Sequence, residues 1–109
     1  MRKLLENREK NEEFKRVFLE ALDEGLGVLG ETTKETLLYL LKQNYQIEEK
    51  EIPDNLERFI SGLREIFGES GSSFLESQII KVLYRKLGFI IQVNMNLREA
   101  VKNARRLYL

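Results

Sequence analysis

GLGVLGET, residues 25–32, decides how this chain is read. Gly25, Gly27 and Gly30 reproduce G-x-G-x-x-G, the spacing of a dinucleotide-binding loop. Such a loop needs a buried strand before its first glycine and a strand–helix–strand unit around it. Only then do the glycines bring backbone N–H groups to a pyrophosphate at a helix N-terminus. Here Gly25 is preceded by Phe18-Leu19-Glu20-Ala21-Leu22-Asp23-Glu24. Phe14, Val17, Phe18, Ala21, Leu22 and Leu29 recur at three- and four-residue spacing, with charged residues largely between them. That is an amphipathic helix, and it is predicted over 11–29. Leu4 and Leu5 extend it toward the start, across a polar stretch that frays it. The glycines then mark a close helix–helix approach at Gly25 or Gly27 and a stop at Gly30.

Working outward, Thr32 with Glu35 has the pattern of a capping box. It predicts a helix over 33–44. That helix holds Leu37-Leu38-Tyr39-Leu40-Leu41, apolar all round, and is expected to be the central and most buried one. In NYQIEEKEIPDN, residues 44–55, Ile47 and Ile52 are expected in the core and the carboxylates in water. Pro53 disfavours helical geometry at Ile52. Asp54 with Glu57 predicts a helix over 54–67, striped by Leu56, Phe59, Ile60, Leu63, Ile66 and Phe67 and ended by Gly68. ESGS is expected to be a turn. Ser73 with Glu76 predicts the cap of a helix over 73–87, carrying Leu75, Ile79, Val82, Leu83 and Leu87 and stopped by Gly88. FIIQVNM, residues 89–95, alternates like a strand over a short window and reads either as a connection or as a strand pairing with another subunit. Asn96 with Glu99 predicts a last helix over 96–108. The expected architecture is all-α, one domain over 1–109, a bundle of about five helices.

Composition agrees with that reading. A chain of 109 residues fits one domain and, at 42% hydrophobic, buries a small core. One proline and seven glycines suit long helices better than a turn-rich β fold. No apolar run approaches the ~20 residues of a membrane span, and the charged start lacks the apolar stretch of a signal peptide. A soluble cytoplasmic protein is the expectation. The chain holds neither cysteine nor histidine. Thiolate and histidine-based nucleophilic sites, histidine metal sites and Glu-x-x-His di-iron sites are thereby excluded. Glu48, Glu49, Glu51 and Asp54 cluster without EF-hand spacing and read as a solvated acidic loop. No catalytic residue, metal ligand or cofactor site is expected, and an enzyme ranks last among the function classes.

Formal net charge is zero, yet it is unevenly spread. Residues 31–69 hold five basic and nine acidic side chains, a balance of −4; residues 70–109 hold seven and two, a balance of +5. The basic set is Lys81, Arg85, Lys86, Arg98, Lys102, Arg105 and Arg106. It reads either as an ion-paired helix face meeting the acidic middle of the same or another chain, or as a nucleic-acid contact. No helix-turn-helix signature accompanies it. Arg98, Lys102, Arg105 and Arg106 are expected mostly opposite the apolar face of the last helix. Phe89, Ile91, Val93, Met95, Leu97, Val101 and Tyr108 form the candidate dimer interface, because a chain this small gains core by self-association.

One resemblance covers about residues 20–88. Leu22-Asp23-Glu24-Gly25-Leu26, Leu29-Gly30-Glu31, Phe67-Gly68, Glu76 and Tyr84-Arg85-Lys86-Leu87-Gly88 resemble an archaeal all-helical output domain of signalling proteins, the Nitrosopumilus-output-domain group. It implies a non-enzymatic module, often attached to a sensor or regulator, with no catalytic residues to carry over. Helix 96–108 would then be a basic extension of the family-like core. The expected function is a regulatory or protein–protein interaction module working with a protein partner or as a homodimer. The alternative is a DNA-binding regulator using the basic last third.

Overall fold

Helix α1 runs without interruption over Arg2–Leu26. (The computed structural model describes residues 2–92 and 94–108, with side chains from Asn7 onward.) Of the predicted stripe Phe14, Phe18, Ala21 and Leu22 are wholly buried and Val17 and Leu29 half-buried, and Leu26 joins them at full burial. At 1.5 Å per residue it is about 37 Å long, close to the 42 Å long axis of the molecule. It starts earlier than the apolar pattern predicts. Periodicity reports burial, whereas the exposed Arg8, Glu9, Lys10, Glu12 and Glu13 are good helix formers that leave no apolar pattern. It also ends earlier, at Leu26, and Gly27–Leu29 tightens into a 3-10 turn before Gly30. Gly25 is buried inside the helix, and among the described residues no strand precedes it. That removes the dinucleotide-loop reading at its first requirement.

Helix α2 spans Glu31–Tyr45. The capping box expected on Thr32 and Glu35 does not form. Gly30 itself is the cap, at φ 87° and ψ 156°, and no side chain caps the first turn. This conformation is nearly exclusive to glycine. It restarts the helix at once, so both Thr32 and Glu35 stand exposed within it. Lys34 is buried here, its ammonium bonded to Asp23 of α1 and lying 3.3 Å from Glu31. The bond to Asp23 raises its pKa. The expectation that α2 is the central helix is overturned. Leu37 and Leu41 are buried, but Tyr39 is 61% exposed and Leu38 and Leu40 are half-covered. Five consecutive residues wrap well past one turn, and α2 packs on one side only.

Ile47 and Ile52 enter the core as expected. Ile52 lies in a second 3-10 turn, Glu49–Asp54, opened by a capping box that the sequence pattern missed, formed by Glu48 and Glu51. Asp54 does not open the next helix. It pairs with Lys15 of α1 at 3.1 Å, and Asn55 takes the cap position.

Helix α3 covers Leu56–Leu87 and is broken at Gly68, where φ is 77° and ψ is 174°. Its arms, 56–67 and 69–87, are two of the five helical rods of this all-α bundle. The predicted ESGS turn and the Ser73–Glu76 cap are corrected by this geometry. One glycine makes the whole turn, so residues 69–73 are already helical and Ser73 lies exposed in the second arm. The second arm, rather than α2, is central: Ser72, Leu75, Glu76, Ile79, Ile80, Leu83 and Tyr84 are all buried.

Past Gly88, the described residues of 89–95 contain no strand and form a connection. Helix α4 spans Leu97–Tyr108. Asn96 caps it as predicted, its Oδ1 accepting the Glu99 N–H at 2.8 Å. Leu97, Ala100, Val101 and Ala104 are buried. The Tyr84 hydroxyl donates to the Ala100 carbonyl at 2.8 Å, and Tyr108 tilts against Phe14 at 5.9 Å between ring centroids. The last helix therefore belongs to the shared core rather than extending from it.

Candidate interaction site

Three of the seven candidate basic residues are taken up by acidic partners within the chain. Lys86 lies 2.8 Å from Glu24 and Arg85 3.1 Å from it. Arg98 grips Glu57 with two nitrogens, Nη2 at 2.7 Å. These pairs leave their mark on the carboxyls. Hydrogen bonding from Lys86 holds Glu24 below the ordinary carboxylate range, and hydrogen bonding from Arg98 does the same to Glu57. The acidic middle and the basic last third do meet within one chain, through Glu57. Lys86 and Arg85 instead find their acids on α1.

Arg105 is not on the outer face. Its guanidinium sits 5.3 Å over the Phe14 ring, a cation–π contact. Nε and Nη2 are buried there without a hydrogen-bond partner among the described residues. Lys81, Lys102 and Arg106 remain exposed. They are what is left of the predicted basic face.

The seven candidate dimer residues divide as well. Leu97 and Val101 are spent on the chain's own core. Tyr108 packs on Phe14, and Phe89 meets Tyr84 edge-on at 6.0 Å. Val93 lies outside the described residues. Ile91, 42% exposed, and the half-covered Met95 keep surface open.

Ile91 and Met95 wall a groove of about 530 Å³ between the second arm of α3 and the connection into α4. Ile80 lies against it from α3, with Glu76 and Ser77 one turn before and Lys81 beside it. Glu76 is 5% exposed. Its carboxylate accepts the Ser72 hydroxyl at 2.9 Å and the Leu97 N–H at 3.4 Å, which ties the start of α4 to α3. Phe74, 54% exposed, stands seven residues before Lys81 and so on the same flank of the helix. The result is a small apolar recess whose polar edge carries one buried carboxylate, Glu76, and one exposed cation, Lys81. Sequence reasoning passed over it because Ser73 and Glu76 fit a cap. The usable signal was Ile80, an apolar residue off the stripe of Leu75, Ile79 and Leu83 that lines the recess.

The glycine stretch plays a different part. Leu22–Leu26 and Tyr84–Gly88 face one another through the pairing of Glu24 with Arg85 and Lys86. Among the described residues no three acidic side chains converge as metal ligands, and no helix is long and apolar enough to cross a membrane. Comparison of the chain with family models, with curated proteins and with solved structures finds no match.

Proposed function

We propose that this chain is a non-enzymatic helical module that works by binding another protein, as the output element of a cytoplasmic, archaeal signalling system. The observation that carries this reading is the apolar recess beside Ile80, Ile91 and Met95, edged by polar side chains. Apolar surface of this kind, rimmed by polar groups, is a usual mark of a protein contact. Ile90, 90% exposed in the same connection, adds to it. The resemblance of residues 20–88 to the output-domain group points the same way. The chain also lacks cysteine and histidine, the thiolate nucleophile and the commonest acid–base side chain.

Self-association is a second form of the same reading, with Ile90 and Ile91 facing their copies. A DNA-binding role would rest on Lys81, Lys102 and Arg106 alone, since Arg85, Lys86 and Arg98 are already paired. Three phosphate contacts give shallow salt dependence and weak binding.

Photocrosslinking tests the reading directly. A benzoylphenylalanine at Ile90 is expected to give protein adducts in cells, and the same residue at the exposed Gln43 on α2 none. Light scattering over a concentration series separates a partner from a second copy. Equal adduct yields at both positions would remove the proposed role.

A further inference from the structure

We infer that α4 is a latch that opens from its Arg105 end while its first turn stays anchored. The two ends of this helix are held by different chemistry. Three hydrogen-bonded attachments reach its first turn from the body. The Glu76 carboxylate accepts the Leu97 N–H at 3.4 Å, and the Tyr84 hydroxyl donates to the Ala100 carbonyl at 2.8 Å. Arg98 grips Glu57 with Nε and Nη2. The second half rests on packing instead: Val101 and Ala104 are buried, and Arg105 and Tyr108 lie against Phe14. The Tyr108 hydroxyl neighbours Glu13, an exposed carboxylate on α1.

Arg98 and Arg105 are about two turns apart, and so on one flank of α4. The two nitrogens that hold a carboxylate side-on in Arg98 are shut away from water in Arg105, and no described residue accepts from them. Phe14 offers its ring face instead, 5.3 Å away. A ring face returns less than two buried donors lose, because each N–H gives up its water and gains no acceptor. Docking the second half of α4 therefore carries a penalty that the first half does not. Lifting residues 101–108 off α1 returns the guanidinium to water, while Glu76 and Tyr84 keep the first turn in place. It uncovers Phe14, Val101 and Ala104, all buried when the latch is shut. The recess wall at Asn96 is left standing.

The chain has no cysteine, so a single introduced thiol reports the opening. Ala100 and Ala104 are both 0% exposed and stand one turn apart. Under native conditions Ala104→Cys is expected to react with a thiol reagent roughly tenfold faster than Ala100→Cys. Arg105→Met keeps a flexible apolar side chain on Phe14 and removes the unpaired donors. It should slow labelling at Ala104→Cys by about threefold or more and raise the urea midpoint. Arg106→Met, at the exposed neighbouring position, should change neither. Amide exchange on the chain without introduced thiols is the second measurement. Residues 104–108 should exchange ahead of Leu97 and Ala100, and Arg105→Met should narrow that gap. Equal labelling at the two alanine positions overturns the latch. So does an Arg105→Met chain that is less stable than the parent, or one whose 104–108 amides exchange as fast as before.

Discussion

A Cβ placed on Gly25 would lie 2.8 Å from the Cα of Ile79, closer than such atoms ever approach. Helix α1 and the second arm of α3 cross backbone to backbone at this point. Gly27, two residues on, has no neighbour within 4 Å of the same position. Gly25→Ala is therefore expected to destabilise by about 1–3 kcal/mol through overpacking. Gly27→Ala should be neutral, or should stabilise by a few tenths of a kcal/mol up to ~1. Urea unfolding followed by circular dichroism compares the two midpoints. Equal losses at both glycines would contradict the packing assignment.

Gly30 and Gly68 share a second trait: both turn one helix straight into the next at a positive φ with an extended ψ. Side chains strain this region, so Gly68→Ala is expected to cost about 1–3 kcal/mol even though open space surrounds the position. Thermal unfolding gives the difference. A variant as stable as the parent would mean that the two arms of α3 do not meet at this angle.

The α4 helix depends on Glu76. Glu76→Ala frees the Leu97 N–H and the Ser72 hydroxyl in a buried setting, at a cost of about 1–3 kcal/mol. Asn96→Ala removes the cap, for about 1 kcal/mol. Amide hydrogen exchange should show residues 97–104 opening ahead of α1 in both variants. Uniform loss of protection over the whole chain would argue that α4 is not separately held.

Acid should weaken the fold through two carboxyls. Glu24 and Glu57 have folded-state pKa values below their ordinary 4.5, held there first by hydrogen bonds from Lys86 and Arg98. A depressed carboxyl contributes stability above its unfolded pKa and loses it as pH falls through the folded one. The loss is expected below about pH 4.5 and stays modest, because both pairs are solvent-screened. Arg98→Met should flatten the acid limb of the stability curve by modestly lowering stability in the neutral region while leaving the acid end little changed. Denaturant midpoints from pH 3 to 7 read this. An acid limb identical to the parent's would detach it from the Glu57–Arg98 pair.

Helix existence was legible in the chain; where helices begin and which one is central was less so. Phe59, Ile60, Leu63, Ile79 and Leu83 lie buried where their spacing puts them. Asn96 caps as its side chain predicts. Thr32, Asp54 and Ser73 have the same chemistry and cap nothing, because Gly30, Asn55 and Gly68 start their helices instead. Capping motifs report what a residue can do at a helix start, and backbone geometry decides whether it stands at one. The recess was hidden for a related reason. Ile80, Ile91 and Met95 are distributed over two segments that only the turn at Gly88 brings together.

What the sequence determined by itself was local: apolar stripes at helical period, three glycine stops, and a residue inventory without cysteine or histidine. These follow from side-chain chemistry and from one turn of backbone, and they need no distant contact. What only the tertiary structure decided was pairing. Arg98 meets Glu57 across 41 positions and Arg85 meets Glu24 across 61. Lys81 is left exposed, and Arg105 lies on Phe14 rather than in water. A charge count cannot separate a spent cation from a free one, because that depends on which helices lie side by side.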